Sequence, residues 1–151
     1  MSAPPFTSFT TSFLIEQTPG EAFDAVTNPR GWWSEKIEGN TDTVGDEFTY
    51  RYGNVHYCRL KVLESVRGER AVWLVLENSF NFIDDQTEWV GTKISFEIVV
   101  DGDQTQVHFT HLGLVPEYEC YDICSNAWAT YINGSLRRLI TTGVGRPNRR
   151  K

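Results

Sequence analysis

One long amphipathic segment near the C-terminal end constrains the fold of this chain more than any other feature. Between Pro116 and Thr142 no proline interrupts the chain, and apolar residues recur at steps of three and four. That spacing predicts a long helix with one apolar face. Gly143 is a natural C-cap, whereas Gly134 costs about 1 kcal/mol relative to alanine and indicates either an interrupted helix or a close approach by another backbone. The apolar face comprises Tyr121, Cys124, Trp128, Ile132, Leu136 and Leu139.

Most of the preceding chain alternates between polar and apolar residues, which is typical of half-buried strands. The clearest example places Ile94, Phe96 and Ile98 on one face and Lys93 and Glu97 on the other. We predict strands at 9–15, 47–52, 56–66, 71–77, 92–100 and 105–111, and an irregular loop at 78–90.

A short helix is predicted directly after the first strand. Thr18 is a suitable N-cap, Pro19 suits the first helical position, and Glu21 is placed to return a hydrogen bond to the cap. An apolar stripe follows, and Asn28-Pro29 ends it because the residue before a proline disfavours helix.

The order of these elements predicts an α+β fold. Six or so antiparallel strands must cover an apolar face with a single long helix, so we expect a curved sheet wrapped around the C-terminal helix. The 151 residues, 40% of them hydrophobic, suit one domain with its own core. We expect a single domain over 1–151 with an ordered core at about 8–143 and flexible ends.

Charge and targeting signals restrict the partners. The net charge of −6 argues against nucleic acid as a partner, because it leaves no extended basic face to neutralise phosphates. A basic cluster at the C-terminal end is better explained as a solvated terminus. The first residues do not resemble a signal peptide and no segment resembles a membrane span, so we expect a cytoplasmic protein without a membrane partner.

The three cysteines are predicted to be reduced thiols. Cys58, Cys120 and Cys124 are an odd number, and cytoplasmic thiols are kept reduced. Cys120 and Cys124 lie one helical turn apart, so their thiols and His111 together form part of a candidate metal site. Zinc normally takes four ligands and no second pair is present at a usual spacing, so we expect no metal and no cofactor.

Several fragments together resemble the START-like (SRPBCC) helix-grip superfamily, and within it the branch named after the activator of heat-shock protein 90 ATPase. The first fragment is the helix sequence from Thr18 to Ala25, and the Trp32-Trp33 pair follows it. The others are the strand end Phe109-Thr110-His111-Leu112-Gly113 and, in the last helix, Trp128, Leu136 and Gly143. The resemblance implies a cavity between sheet and helix. It also implies functions that differ among members: binding of lipids or polyketide-like ligands, their cyclisation, and co-chaperone activity, including in stress responses.

The candidate site follows from the residues that face the expected cavity. His111 shares inward parity with Val107 and Phe109, so it is a candidate polar anchor for a ligand, although a histidine satisfied by local polar groups is the simpler interpretation. His56 and His108 are interpreted as ordinary surface or strand residues. The predicted ligand-binding set is Phe48, Tyr50, Trp73, Phe96, Phe109, His111, Tyr121, Cys124 and Trp128, and packing into a solid core is the competing interpretation of its aromatic members.

Three functions remain open at this point. The first is a non-catalytic module that binds a small apolar or aromatic molecule. The second is a co-chaperone-type module that binds a chaperone or another protein, as a monomer or homodimer. The third is a cyclase-like enzyme, which requires two convergent titratable groups. The paired carboxylates Asp84 and Asp85, with Glu88, are more simply solvated loop residues than an acid/base pair, so no catalytic residue is assigned.

Overall fold

A computed structural model describes residues 8–81, 89–115 and 120–148. Seven antiparallel strands form one curved sheet in the order β1-β7-β6-β5-β4-β3-β2. The predictions for Asp84, Asp85 and Glu88, and for the start of the helix at Pro116, lie outside the described residues. The strands are β1 Phe9–Ile15, β2 Glu38–Gly39, β3 Glu47–Tyr52, β4 His56–Val66, β5 Arg70–Phe80, β6 Lys93–Asp101 and β7 Gln104–Leu112.

The alternation predicted along β6 and β7 is present in the sheet. The two strands pair so that Phe96 lies opposite Phe109 and Ile94 lies opposite His111. All four side chains are buried. Since side chains at every second residue point to the same face, one continuous apolar surface results, and it faces the helix.

The loop predicted from residue 78 begins later than expected. Strand β5 continues to Phe80, and Asn78 and Phe80 are buried. The ladder with β4 also continues, with His56 opposite Phe80. The prediction was wrong for 78–80 because a buried asparagine breaks the hydrophobic alternation, although its side chain is satisfied within the sheet by His56.

The first helix, α1, spans Pro19–Val26 and has the predicted capping box. The Glu21 backbone N–H donates to Thr18 Oγ1 at 3.1 Å, and the Thr18 backbone N–H donates to Glu21 Oε1 at 2.9 Å. A short 3₁₀ turn at Pro29–Gly31 follows, and it delivers Trp32 and Trp33 into the core, where both are buried.

The C-terminal helix is long, as predicted, but it is not α-helical throughout. Helix α2 spans Tyr121–Ala129, a π-helical segment spans Thr130–Leu136, and helix α3 spans Arg137–Thr142. Gly143 caps α3 in the left-handed region, with φ of 86°. Gly134 therefore lies where the helical pitch changes, and no other backbone approaches it, since a Cβ at Gly134 would meet no atom within 4 Å. Segments of π-helix often mark functional positions.

The chain after Gly143 folds back on the 3₁₀ turn and the residues that follow it. The Asn148 backbone N–H donates to the Trp33 carbonyl oxygen at 3.0 Å, and the Glu35 N–H donates to the Asn148 carbonyl oxygen at 2.9 Å. Ser135 Oγ donates to the Trp32 carbonyl oxygen and accepts from the Arg146 N–H, both at 2.7 Å. Residues 144–148 are thus tied to the core, beyond the limit of 143 expected from the sequence.

All five tryptophans belong to one contiguous aromatic cluster in the core. Trp33 stacks on Trp73 at a centroid distance of 6.3 Å and contacts Trp128 at 5.1 Å. Trp128 in turn stacks on Trp89 at 5.7 Å. Trp128 therefore joins the helix to the sheet through rings, and each such pair contributes about 0.5 to 1.5 kcal/mol beyond burial.

A pair of glycine substitutions tests the docking of residues 144–148. A Cβ at Gly145 would collide with the Gly31 carbonyl oxygen, whereas a Cβ at Gly134 would meet no atom within 4 Å. We expect Gly145→Ala to lower the free energy of unfolding by about 1 to 3 kcal/mol, and Gly134→Ala to raise it by up to about 1 kcal/mol. Urea denaturation measures both. Equal effects of the two substitutions would contradict this docking.

Candidate functional site

A pocket of about 130 Å³ lies between helix α2 and the β3-β4-β5 part of the sheet. Its inner wall is formed by buried aromatic rings, and its rim by Tyr52, Val55 and Ile123, which are 48%, 36% and 56% exposed. The exposed rim gives the buried wall access to solvent. The remaining lining residues are Trp33, Tyr50, His56, Phe80, Trp89, Cys124, Ala127, Trp128 and Tyr131.

The size and lining of this pocket define what it can hold. An apolar cavity of about 150 Å³ is large enough to bind benzene. A pocket of about 130 Å³ therefore fits one small ring or the end of a larger molecule that projects past the rim. The described lining contains no Asp, Glu, Lys or Arg side chain, so this part of the wall carries no fixed charge.

His56 is a titratable group in the pocket wall. Its ring packs against Phe80, Trp89 and Tyr50 at centroid distances of 4.3, 4.7 and 5.2 Å, and its Nε2 lies 2.7 Å from Asn78 Oδ1. Burial lowers the pKa of His56 to about 4, and the hydrogen bond with Asn78 partly opposes that shift. The imidazole is therefore neutral at physiological pH.

Two tyrosine hydroxyls supply further polar groups beside the pocket. Tyr50 and Tyr131 line it, and their hydroxyl oxygens lie 3.4 Å apart. Asn148 Nδ2 donates to Tyr131 at 2.7 Å and to Tyr50 at 3.2 Å. Burial raises the pKa of Tyr50, and the neighbouring Tyr131 adds to that shift, so the Tyr50 hydroxyl keeps its proton.

His111, the anchor expected from the sequence, is engaged by the protein itself. The Trp128 indole Nε1–H donates to His111 Nδ1 at 3.0 Å, so that nitrogen must be unprotonated. The proton then sits on Nε2, which donates to Thr92 Oγ1 at 2.8 Å, and Thr92 Oγ1 donates to the Trp89 carbonyl oxygen at 2.6 Å. Both ring nitrogens are satisfied, which matches the simpler of the two interpretations of His111.

The environment of His111 also keeps it neutral. It is fully buried, and burial lowers its pKa to about 3, with a smaller contribution from the nearby His56. Protonation of Nδ1 would place two N–H donors head to head with Trp128. The residue is therefore a fixed acceptor for the helix and is not a proton carrier.

The structure distributes the predicted site residues over the pocket wall and the core. Tyr50, Cys124 and Trp128 line the pocket. Tyr121, half-buried, packs against the core from the start of α2. The other five lie in the buried core and do not line this pocket: Phe48, Trp73, Phe96, Phe109 and His111.

The sequence interpretation missed part of the wall. His56, interpreted as an ordinary surface or strand residue, begins strand β4 and also lines the pocket, and it shares parity with the buried Cys58 and Leu60. That parity was the signal that could have found it. Trp33, Phe80, Trp89 and Tyr131 were also missed, because nothing local indicates that the 3₁₀ turn, the end of β5 and the π-helical segment meet at one place.

Among residues 8–81, 89–115 and 120–148, no three His, Cys, Asp or Glu side chains form a group that could hold a metal ion. No disulfide joins Cys58, Cys120 and Cys124, all of which are buried. No helix in this part of the chain is long and apolar enough to cross a membrane.

The curved sheet, the long C-terminal helix and the pocket between them define the helix-grip fold of START-like (SRPBCC) proteins, so the resemblance predicted from the sequence is confirmed as a fold. The solution structure of the Aha1 dimer from Colwellia psychrerythraea has a TM-score of 0.73 and 23% identity, over 91% of this chain and 98% of that one. No protein-family model matches the chain, and no curated protein sequence matches it.

Two further proteins of known structure share the fold at lower sequence identity. DynU16, from the dynemicin biosynthetic locus, has a TM-score of 0.68 and 15% identity over 93% of this chain, which spans 50% of DynU16. CalU16 from Micromonospora echinospora has a TM-score of 0.58 and 12% identity, over 89% of this chain and 76% of that one. At these identities the similarities show the fold alone.

The buried neutral histidine predicts a pH-dependent stability. The folded pKa of His111, about 3, lies below the ordinary value of 6.5, so its contribution is complete above pH 6.5 and is lost as pH falls toward 3. We expect His111 to lower the free energy of unfolding by about 2 kcal/mol between pH 7 and pH 5, and His56 to add to this.

Urea denaturation at both pH values measures this loss in parent and variants. His111→Gln replaces the imidazole with a group that does not titrate, so the loss between pH 7 and pH 5 should shrink by about 2 kcal/mol. His108→Gln is the matched control, because His108 lies on the outer face of the same strand, where its Nε2 contacts Thr10 Oγ1 at 3.0 Å. A His111→Gln variant with the parent's pH dependence would refute the assignment.

Proposed function

We propose that this protein is a non-enzymatic module that binds a small aromatic or apolar molecule in the pocket between sheet and helix. The observation that carries the proposal is the pocket itself: a space of about 130 Å³ with a buried aromatic wall and an exposed rim. Ligand sites are typically concave and apolar, with a few polar groups that fix orientation. The rings of the wall and the groups on His56, Tyr50 and Tyr131 have that composition.

Burial of an apolar surface in this pocket is the main favourable contribution to binding. Aromatic groups of this kind bury about 150 to 250 Å² each, which at about 25 cal/mol per Å² gives about 4 to 6 kcal/mol before the costs of association. Those costs are of similar size, so a single ring in the pocket is expected to bind weakly. A larger ligand gains more by contact with Tyr52, Val55 and Ile123 at the rim.

The described wall supports binding over catalysis. An enzyme of the cyclase kind needs convergent acid and base groups, and no carboxylate lies among the described lining residues. His56 has its pKa lowered to about 4 and is paired with Asn78, so it is a weak base near neutral pH. We propose that the chain is a single domain that acts in the cytoplasm. This is in keeping with its three cysteines, which form no disulfide.

A second candidate is a protein-interaction module, favoured by the similarity in fold to the Colwellia Aha1 dimer. Such a role predicts an exposed apolar patch on the outer face of the sheet. Across β1, β7 and β6 that face carries Thr10, Thr110 and Ser95 in one row and Ser12, His108 and Glu97 in the next. Its exposed apolar residues Leu14 and Val99 flank Gln106 in the row after those. Light scattering of the purified protein over a concentration series distinguishes a monomer from a homodimer.

A substitution that fills the pocket tests the proposed function. Ala127→Phe places a ring in the space from helix α2, whereas Asn126→Phe adds the same ring at an exposed neighbouring position that does not line the pocket. Quenching of tryptophan fluorescence is the readout, since Trp33, Trp89 and Trp128 form the wall. We expect saturable quenching by small aromatic ketones and arenes, at least about tenfold weaker in Ala127→Phe and unchanged in Asn126→Phe.

Two outcomes would contradict the proposal. If no compound in a panel of single-ring aromatics, flavonoids and fatty acids binds saturably to the parent, the pocket is not a ligand site. If Ala127→Phe binds as tightly as the parent while remaining folded, the ligand occupies another part of the molecule.

A further inference from the structure

The hydroxyls of Tyr50 and Tyr131 form a polar cluster with the side-chain amide of Asn148. The hydrogen-bond donors and acceptors of this cluster can be counted one by one. In the observed orientation of the Asn148 side chain, its two Nδ2 hydrogens are directed at the two tyrosine oxygens, at 3.2 and 2.7 Å. Those oxygens therefore act as acceptors toward Asn148. Each tyrosine still carries one hydroxyl hydrogen of its own, and these two hydrogens also need acceptors.

The cluster offers an acceptor to only one of those hydrogens. One hydroxyl is able to donate to the other across their separation of 3.4 Å, which is long for such a bond. The second hydroxyl cannot donate back at the same time. At least one O–H hydrogen is therefore left without an acceptor among the hydrogen bonds of the described residues, and both tyrosines line the pocket.

A buried indole has the same deficiency. The Trp89 side chain lines the pocket, and its indole nitrogen is buried and has no hydrogen-bond partner among the described residues. An indole N–H donates and cannot accept. A purely apolar ligand would leave the remaining hydroxyl hydrogen of the tyrosine pair unsatisfied at a cost.

The charge of the wall restricts the acceptor that fits. No Lys or Arg lies among the described lining residues, and His56 is neutral near pH 7 because burial lowers its pKa to about 4. Transfer of a carboxylate into such a site would cost several kcal/mol without a compensating cation. A neutral acceptor, such as a ketone, ester or ether oxygen, avoids that cost.

We infer that the pocket selects a neutral aromatic molecule that carries a hydrogen-bond acceptor, and that the Tyr50–Tyr131 hydroxyl pair donates to that acceptor. This inference rests on the proposed function and names the ligand class for the same pocket. The rings of Trp33, Trp89 and Trp128 hold the aromatic part, and the hydroxyl pair sets its orientation.

A probe set of nearly identical shapes tests this class. Acetophenone carries a carbonyl, α-methylstyrene replaces its oxygen with a CH₂ group, and benzoate has a similar outline with a negative charge. Calorimetric titration at pH 7.5 measures each probe against the parent, against Tyr50→Phe, Tyr131→Phe and the double variant, and against Tyr57→Phe. The last is the matched control, because its hydroxyl donates to Glu77 on an exposed part of the sheet.

The expected affinities follow from the number of tyrosine hydroxyl hydrogens that lack an acceptor in the protein. The double variant should bind acetophenone about fivefold more weakly than the parent, the factor that matches one net hydrogen bond, while its affinity for α-methylstyrene is retained. Each single variant keeps one hydroxyl hydrogen without a protein acceptor, so it should stay within about twofold of the parent. Benzoate should not bind at concentrations that saturate the site with acetophenone, and Tyr57→Phe should change nothing.

The possible failures are distinguishable. If acetophenone and α-methylstyrene lose affinity by the same factor in the double variant, or if neither does, the hydroxyl pair makes no bond to the ligand and the inference fails while the pocket stands. Binding of benzoate as tight as that of acetophenone would also overturn it. If no probe binds to the parent, the proposed function fails as well. Retained binding of α-methylstyrene shows that the double variant is folded.

Discussion

The hydrogen bond between the Trp128 indole and His111 fixes the helix on the sheet, and the site depends on it. An indole nitrogen can only donate, so the bond dictates the tautomer of His111 and the direction of every bond that follows. The Trp128 indole donates to His111, His111 donates to Thr92, and Thr92 donates to the Trp89 carbonyl oxygen. One directed chain therefore links the helix, strand β7 and the residues before β6. It also positions two pocket rings, those of Trp89 and Trp128.

Three tryptophan rings line the pocket as one packed group. Trp128 stacks on Trp89 and tilts against Trp33. The π-helical segment adds Tyr131 to the same wall, and the returning chain brings Asn148 against its hydroxyl. A filled core and a ligand pocket share a composition, and here the two are adjacent parts of one aromatic cluster.

The amino-acid sequence was sufficient for the fold because the fold depends on local, periodic signals. The alternation in β6 and β7, the capping box of α1 and the apolar stripe of the last helix each recur at short spacing. The site was predicted only in part. Parity shows that Phe96, Phe109 and His111 face inward, but it does not show how far along a curved strand the pocket lies. The pocket is formed by residues that meet only through tertiary packing.

His56 and His111 show which features of the site the residue pattern predicts and which it does not. His56 shares the parity of Cys58, so its inward direction was accessible from the sequence, yet its place in the pocket wall follows from the extension of β5 to Phe80. His111 was correctly placed on the inner face. Its hydrogen bonds with Trp128 and Thr92 depend on where the helix crosses the sheet. The residue pattern within the helix or within the strand does not predict that crossing point.

The central claim is that His111 belongs to the framework that holds the pocket and is not itself a ligand contact. Nitrogen-15 NMR of the histidine side chains at pH 7 and pH 5 tests that claim most directly. We predict that His111 is neutral at both values, with the proton on Nε2 and an unprotonated Nδ1, since burial lowers its pKa to about 3. A His111 ring that carries its proton on Nδ1, or that becomes an imidazolium by pH 5, would contradict the account.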